Sequence, residues 1–325
     1  MGDDLHVVFG SGPTGRAVAT ELEHQGQPTR VVNRSGRPVF AGVDTVGGDV
    51  TNPAFAHAAA RGAQTVYFCL NARHYHRWVE EFPPLQDAVI DAASAAGARL
   101  VVLENLYMYG PSGGAPMTES SPVNPTSTKS TVRAEMSEQL IDAHRSGRVE
   151  VTIGRAADFI GPGVTASAMG ENVFGPAVAG KKARTIGRPD TPHTYSYVPD
   201  IGRNLVLLGR RADAYGRVWH LPNPPVRTVR EVITDVYAAL EQPARITVLN
   251  KPMLRVIGLF NRDVHELLST YYQFDAPFIA DHTAFTSAFG GHITEWNEII
   301  HTTVASYRHP ASATATATTG TSTRR

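Results

Sequence analysis

Short apolar runs alternate with longer amphipathic stretches through the first 155 residues of this chain. Apolar residues that recur at three- and four-residue spacing predict helices over residues 13–26, 53–63, 84–98 and 130–147. Strands are predicted where β-branched and apolar residues cluster, at LHVVFG (5–10), TRVVNR (29–34), DTVGGD (44–49), TVYFCL (65–70), RLVVLEN (99–105) and VEVTIGR (149–155). Such alternation is typical of parallel βαβ units, so we expect an α/β fold with a doubly wound parallel sheet, the Rossmann fold.

The pattern changes after residue 160, where Gly and Pro become more frequent. We expect residues 1–160 to form the Rossmann domain and residues 161–307 to form mainly a smaller C-terminal lobe that binds substrate. A segment at about 194–213 is expected to return to the main domain. Residues 308–325 are rich in Ala, Thr and Ser and have little to bury, which predicts a disordered tail.

Composition and charge exclude several classes of partner. The 325 residues carry 30 Lys and Arg against 30 Asp and Glu, so no net charge attracts the chain to nucleic acid or to a membrane. The single cysteine, Cys69, cannot form an internal disulfide, the N-terminus is unlike a signal peptide, and no apolar run is long enough to span a bilayer. His74 and His76 lack further ligands at metal-binding spacing, so no metal is expected. We expect a cytoplasmic monomer or homodimer.

A glycine pattern, G-x-G-x-x-G, falls between the first strand and the first helix. Gly10 permits a tight turn, Gly12 lets the backbone approach a pyrophosphate, and Gly15 lets helix and strand pack closely. The free N–H groups and the dipole of the helix N-terminus favour the same anion. We therefore expect a dinucleotide to contact this turn at Gly10, Gly12, Pro13, Thr14 and Gly15.

The second strand ends in Asn33, Arg34 and Ser35, where an NAD site normally places an acid that binds the ribose. Arginine and serine side chains suit a 2′-phosphate instead, and Arg16 is a further candidate donor to it. The pattern predicts NADP(H) as the cofactor. By position alone, Asp49 and Val50 are expected to border the adenine, and Asn71 to lie where the cofactor passes.

Several stretches together resemble the extended short-chain dehydrogenase/reductase superfamily, the NAD-dependent epimerase/dehydratase group, and especially its atypical members. LENLYMYGP is similar to the family's strand that ends in V-Y-G, GRAADFIGPG to its R-P-x-N-x-Y-G-P-G motif, and YSYVPDIGRNL to its V-x-D-x-A stretch. The similarity spans roughly residues 5 to 307. It implies the Rossmann fold, a nicotinamide cofactor and a small-molecule substrate.

The chain departs from the family at the catalytic residues, which are Ser or Thr and Tyr-x-x-x-Lys in its members. The resemblance places Asn105 at the Ser or Thr, Lys129 at the tyrosine and Arg133 at the lysine. A shifted alignment places Lys129 at the lysine and Pro125 at the tyrosine. The phenol that exchanges a proton with substrate is missing in both alignments.

Other side chains are candidates to take over the role of the missing phenol. Lys129 can polarise a carbonyl or donate a proton, although a lysine at a helix start is as often exposed and inactive. Tyr107 is the preferred phenol, since Tyr109 matches the family tyrosine that is not the acid. Asp158 is a candidate base or orienting group where the family has Asn. Arg133 is expected to hold the nicotinamide ribose, and Tyr109, His193 and Tyr195 are expected to contact substrate.

The sequence favours an NADP(H)-dependent oxidoreductase that reduces a carbonyl-like group on a small, specialised metabolite, with altered acid–base residues. A non-redox dehydratase, epimerase or cyclase on the same fold is the first alternative, because the phenol is missing. A catalytically silent protein that senses NADP(H) is the second.

Overall fold

The computed structural model describes residues 4–73, 77–260 and 268–309. His74, His76 and residues 310–325, which include most of the predicted tail, lie outside these ranges. The main sheet contains the strands β1 (Leu5–Phe9), β2 (Thr29–Asn33), β3 (Asp44–Gly47), β4 (Ala63–Phe68), β5 (Arg99–Glu104), β6 (Val151–Arg155) and β11 (Val218–His220). They lie in the order β11-β6-β5-β4-β1-β2-β3, and every neighbouring pair is parallel. The predicted doubly wound parallel sheet is confirmed.

Helices cover both faces of this sheet, because side chains of each strand alternate between the faces. The longer helices are α1 (Pro13–His24), α2 (Pro53–Ala60), α3 (Trp78–Ala96), α4 (Thr128–Arg145) and α6 (Val198–Arg210). Val7 and Phe9 of β1 join the apolar core under α2, α3 and α4, whereas Val8 joins the core under α1 and α6.

The remaining elements follow α4 in the chain, and several of them build a third apolar core. They are the strands β7 (Asp158–Ile160), β8 (Ala183–Ile186), β9 (Pro192–His193), β10 (Tyr195–Tyr197), β12 (Arg227–Thr228) and β13 (Ile246–Leu249), and the helices α5 (Gly175–Val178), α7 (Val229–Ala238), α8 (Lys251–Gly258), α9 (Thr283–Phe289) and α10 (Trp296–Arg308). Three two-stranded sheets, β10-β7, β12-β9 and β13-β8, link distant parts of this region. The predicted domain boundary at residue 160 stays a prediction.

Two elements differ from the sequence prediction. Strand β11 was not among the six predicted strands, because three residues between turns are too few for a periodic pattern. Helix α3 begins at Trp78, before the predicted start at residue 84, and it includes Pro83 and Pro84. Trp78 and Phe82 are buried in the core, so tertiary packing compensates for the backbone hydrogen bonds that the two prolines cannot make.

The packing of α6 against α1 depends on a glycine. A Cβ added at Gly202 would lie 2.5 Å from the carbonyl carbon of Ala17 in α1. Real Cβ atoms do not approach backbone so closely, so any side chain at this position must push the two helices apart.

We therefore expect Gly202→Ala to lower the free energy of unfolding by about 1–3 kcal/mol. Gly175→Ala is the matched control, because its added Cβ would stay 3.6 Å from the nearest atom. Urea unfolding of both variants measures the difference. Equal stability of the two would contradict close helix packing at Gly202.

Candidate active site

The glycine turn between β1 and α1 has the geometry of a phosphate cradle. Gly10 has φ +115°, which favours glycine, and an added Cβ would lie 2.5 Å from the carbonyl oxygen of Cys69. A Cβ at Gly15 would overlap the carbonyl oxygen of Gly10. At Gly12, by contrast, a Cβ would meet no atom within 4 Å, and no side chain caps the helix that follows. Open space therefore faces the N-terminus of α1, where a pyrophosphate fits.

The neighbouring side chains support this turn. Thr14 is buried and Pro13 is partly buried at the start of α1. Burial raises the pKa of the Cys69 thiol to about 12, so this cysteine is not a nucleophile near neutral pH. Arg16 donates from Nε to the carbonyl of Ser11 at 3.2 Å and from Nη1 to that of Val39 at 2.9 Å. It thereby joins the glycine turn to the loop that follows β2.

The loop after β2 exposes donors and contains no carboxylate from residue 33 to residue 40. The side-chain oxygen of Asn33 accepts hydrogen bonds from the backbone N–H groups of Ser35 (3.1 Å) and Gly36 (2.8 Å), and so closes a tight turn. Arg34, Ser35 and Arg37 are exposed around this turn. Asn33 therefore shapes the loop with its side chain, and its expected direct contact with the cofactor stays a prediction. Arg37 was not singled out from the sequence.

The two residues expected at the adenine have structural partners. The Asp49 carboxylate accepts hydrogen bonds from the hydroxyl (2.8 Å) and the backbone N–H (3.0 Å) of Thr51, and these bonds lower the pKa of Asp49. Val50 is buried in the core with α2. A contact between either residue and the adenine stays a prediction.

Residues from the ends of β4 and β5 meet the start of α3 and one face of α4. The side-chain oxygen of Asn71 accepts a hydrogen bond from Nε1 of Trp78 at 2.7 Å. The guanidinium of Arg133 lies 5.8 Å from the Trp78 ring and 5.1 Å from the Phe82 ring, and its Nε donates to Asn105 at 3.3 Å. The structure thus brings together the predicted residues Asn71, Asn105 and Arg133, and it adds two aromatic rings that the sequence did not reveal.

The Nη1 group of Arg133 is a hydrogen-bond donor that could bind a ligand. The side chain is 2% exposed, and no described residue accepts a hydrogen bond from its Nη1. Burial lowers the pKa of Arg133, and the nearby Glu104 carboxylate opposes that effect. A buried cation with an unused N–H is suited to an anionic or oxygen-rich ligand.

Lys129 and Tyr107, the two predicted proton donors, lie on elements that contribute to this arrangement, α4 and the short turn after β5. Ser127 caps helix α4 and forms a capping box with Ser130, which places Lys129 in the first helical turn. Lys129 is 4% exposed, so it is not the solvated lysine that a helix start often carries. Tyr107 is partly buried in a short 3-10 turn after β5, and its ring lies 6.4 Å from that of Trp78.

A buried network of hydrogen bonds lies next to these residues. Nε of Arg155 donates to the Glu104 carboxylate at 3.0 Å, and Nη1 donates to the Tyr109 hydroxyl at 2.6 Å. The same hydroxyl lies 2.8 Å from Nε2 of His220, whose Nδ1 lies 2.9 Å from the carbonyl oxygen of Asp281. A neutral His220 protonated on Nδ1 satisfies every bond, since Tyr109 then donates to Nε2.

This network gives Tyr109 a structural role. Its hydroxyl accepts from Arg155 and donates to His220, and the residue is 3% exposed. The hydroxyl thereby holds Arg155 and His220, and the expected contact between Tyr109 and substrate stays a prediction.

A second polar group lies on β7 and β9. The Asp158 carboxylate, 21% exposed, lies 2.9 Å from Nε2 of His193, which is 1% exposed. Tyr195, Phe274 and Phe278 surround the imidazole, with ring centroids 4.9 to 5.3 Å away. Burial, and then the charge of Asp158, raise the pKa of Tyr195 well above its usual value.

Asp158 is thus the accessible member of this group. Because His193 and Tyr195 are buried, we place them as supports of Asp158, and their expected direct contact with substrate stays a prediction. The described residues contain no group of three or more His, Cys, Asp or Glu arranged to hold a metal ion. No helix in the described part of the chain is long and apolar enough to cross a membrane.

Sequence reasoning missed several residues of the site besides Phe82 and Arg37, among them Trp78, Glu104 and His220. Trp78 closely follows His74 and His76, which we considered only as metal ligands. Glu104 ends a strand and His220 lies in the strand that was missed. An acid at the end of a buried apolar strand was a usable signal, because such a group needs a buried partner.

His220 makes stability depend on pH. Burial lowers its pKa to about 4, against about 6.5 in an unfolded chain, and the Glu119 carboxylate only partly opposes this effect. The unfolded state therefore binds more protons between these values, and the free energy of unfolding falls as pH falls from 6.5 to 4, by on the order of 3 kcal/mol. We expect His220→Asn to flatten this slope in urea unfolding, and His57→Asn, on exposed α2 surface, to leave it unchanged. Parallel slopes for wild type and His220→Asn would contradict a neutral buried imidazole.

Comparisons with known proteins agree with this architecture. No curated protein matches the sequence significantly. Similar solved structures include gox2253 (TM-score 0.79, 16% identity, 95% of this chain and 99% of that chain). A second is DesIV, a dTDP-glucose 4,6-dehydratase from Streptomyces venezuelae with NAD and TYD bound (TM-score 0.76, 17% identity, 94% of this chain and 97% of that chain). A third is UDP-glucuronic acid 4-epimerase from Bacillus cereus in complex with NAD (TM-score 0.76, 11% identity, 96% of this chain and 99% of that chain). At these identities they show the fold alone. The model of the NAD dependent epimerase/dehydratase family matches residues 7–220, more than half of the chain. The chain belongs to the NAD dependent epimerase/dehydratase family.

Proposed function

We propose that this protein is an NADP(H)-dependent oxidoreductase that reduces a carbonyl-like group on a small metabolite. The observation that carries the proposal is the loop after β2, which presents Arg34, Ser35 and Arg37 and no carboxylate from residue 33 to residue 40. An acid at this position would repel a 2′-phosphate, whereas guanidinium groups bind phosphate through charge-assisted hydrogen bonds.

The residues present fit a dinucleotide along the carboxyl edge of the sheet. The space at Gly12 and the uncapped start of α1 suit the pyrophosphate, and Arg16 braces the adjoining loop. The unused Nη1 of Arg133 suits a ribose hydroxyl or a substrate oxygen. When bound, NADPH supplies the hydride.

The chain's own groups then have to position the carbonyl and supply the proton. Lys129 is buried in the first turn of α4, and Arg133 follows one turn later, so the two cationic side chains lie on the same face of this helix. We assign proton donation to Lys129, with Tyr107 as the alternative donor, and orientation of the substrate oxygen to Asn105. The altered residues thereby replace the phenol by cationic donors.

A second candidate function is a non-redox dehydratase, epimerase or cyclase. The observation that favours it is the Asp158–His193 pair, in which a partly exposed carboxylate is held by a buried imidazole. A carboxylate positioned in this way can remove a proton from carbon or oxygen. DesIV and the Bacillus cereus protein, whose titles name a dehydratase and an epimerase, share the fold.

Cofactor preference is the first test. We expect Arg34→Ala combined with Arg37→Ala to raise the Kd for NADPH about 10- to 100-fold, because each charge-assisted bond to the 2′-phosphate contributes about 1.5–3 kcal/mol, partly shared between the two. The Kd for NADH should change less than about twofold, since NADH lacks that phosphate. Titration calorimetry measures both constants.

The matched control for this experiment is Arg61→Ala, an exposed arginine at the end of α2. It should leave both constants unchanged. Wild-type protein that binds NADH as tightly as NADPH would refute the preference.

The second test separates the two reactions. With a panel of carbonyl compounds and NADPH, we expect Lys129→Met to lower kcat by about 10²- to 10⁴-fold, the usual contribution of a general acid. Methionine keeps most of the buried stem, so the Kd for NADPH should stay within a few-fold. Stopped-flow absorbance of NADPH follows single turnovers.

Asp158→Asn provides the comparison in the same assay. It should reduce turnover less than Lys129→Met if the reaction is carbonyl reduction. Product formation without any change in NADPH absorbance, lost in Asp158→Asn and retained in Lys129→Met, would instead identify the non-redox reaction. Tight NADPH binding with no turnover of any compound would favour a sensing role.

A further inference from the structure

One buried indole, that of Trp78, contacts several residues expected at the active site. Its Nε1 donates to the side-chain oxygen of Asn71 at 2.7 Å, and the guanidinium of Arg133 lies 5.8 Å from its ring centroid. The Tyr107 ring lies 6.4 Å away. Trp78 is 4% exposed, and its ring lies 4.9 Å from that of Phe82 one turn along α3, within the apolar core. The indole is therefore a fixed surface against which these site residues pack.

The indole determines which way the amide of Asn71 faces. An indole N–H group only donates, so the Asn71 atom beside it must be the carbonyl oxygen. The backbone N–H of Ala72 donates to the same oxygen at 2.9 Å, which requires the same orientation. Asn71 is exposed, and within the described residues its side chain forms hydrogen bonds only through Oδ1. Its Nδ2 group is therefore available as a donor just after the carboxyl end of β4.

The same indole restrains the guanidinium of Arg133. That group lies over the Trp78 and Phe82 rings, 5.8 and 5.1 Å from their centroids, and its Nε donates to Asn105 at 3.3 Å. A cation over an aromatic ring is attracted by the electrons of the ring, and the attraction is larger where water is excluded. The guanidinium is planar and rigid, so these contacts also fix the direction of Nη1, which has no acceptor among the described residues.

We propose that Trp78 is a positioning residue that orients two donors, Nδ2 of Asn71 and Nη1 of Arg133, toward the dinucleotide. The inference rests on the proposed binding of a nicotinamide dinucleotide at the carboxyl edge of the sheet. Two N–H donors that are already fixed suit the phosphate and ribose oxygens of such a ligand, because little side-chain freedom is lost when it binds. Trp78 acts through these two neighbours and needs no contact with the ligand itself.

Titration calorimetry of the full-length protein with NADPH tests the proposal. Trp78→Phe keeps an aromatic ring beside Arg133 but removes the N–H group that orients Asn71. We expect it to raise the Kd for NADPH about 3- to 10-fold, the usual effect of one hydrogen bond. Trp78→Leu also removes the ring, and we expect a further increase of about 3- to 10-fold. Neither Asn71 nor Arg133 belongs to the loop after β2, so the same ratios are expected for NADH.

A double-mutant cycle shows whether Trp78 acts through Asn71. Asn71→Ala removes the oriented donor, and in that background we expect Trp78→Phe to change the Kd for NADPH less than about twofold. A general loss of packing would instead raise the Kd by the same factor with and without Asn71. That additive result would overturn the proposal.

Trp296→Phe is the matched control. Nε1 of Trp296 also donates to a side-chain oxygen at 2.7 Å, on Asp235, and the Arg227 guanidinium lies 5.2 Å from its ring centroid. The residue is 6% exposed and belongs to the third apolar core, so its replacement should leave both Kd values unchanged. Urea unfolding shows that each variant is folded.

Two outcomes separate this inference from the proposed function. An unchanged Kd for NADPH in Trp78→Phe, with wild-type protein that binds NADPH, would overturn the inference alone. Wild-type protein that binds neither NADPH nor NADH would overturn the proposed function and the inference with it.

Discussion

The buried contact between Glu104 and Arg155 organises the carboxyl edge of this sheet. The two residues are register partners at the ends of β5 and β6, and their side chains are almost fully buried. Removing two charges from water is costly, so such a pair contributes little net stability, but breaking it leaves an isolated buried charge. The strand ends are therefore held in one register, and the chain that leaves each strand starts from a defined point.

That constraint reaches the candidate active site through Tyr109. Arg155 donates to its hydroxyl, which fixes the short turn that also contains Tyr107 and follows Asn105. Asn105 in turn accepts a hydrogen bond from Arg133 on α4. Tyr109, which lies in a segment that resembles a family motif, is thus part of the structural support of the candidate site.

Local patterns were enough to predict the fold and the glycine turn. Gly10 and Gly15 are required by contacts within one strand–turn–helix unit, so their spacing carries the information. The candidate site could not be predicted from local patterns, because it is formed by contacts between segments that are far apart in the sequence. Nothing near Arg133 in the sequence indicates that Trp78 and Phe82 lie against it. The hydrogen bond between Tyr109 and His220 could not be predicted, because His220 is 111 residues away in a three-residue strand. Asn33 is a different case, since its side chain forms hydrogen bonds within its own turn, a property of asparagine that competes with binding of a ligand.

Both candidate reactions place negative charge on an oxygen, and the electrostatics of the site suit that charge. Arg133 and Arg155 are buried guanidinium groups that share one nearby carboxylate, Glu104. Reduction of a carbonyl develops an alkoxide, and removal of a proton beside a carbonyl develops an enolate. A fixed buried cation stabilises either, and it does so without moving during the reaction. Under the proposed function, cationic residues in place of the family's phenol keep the stabilisation of an oxyanion and change the group that donates the proton. The source of the proton, rather than the charge on the oxygen, then distinguishes the two candidate reactions.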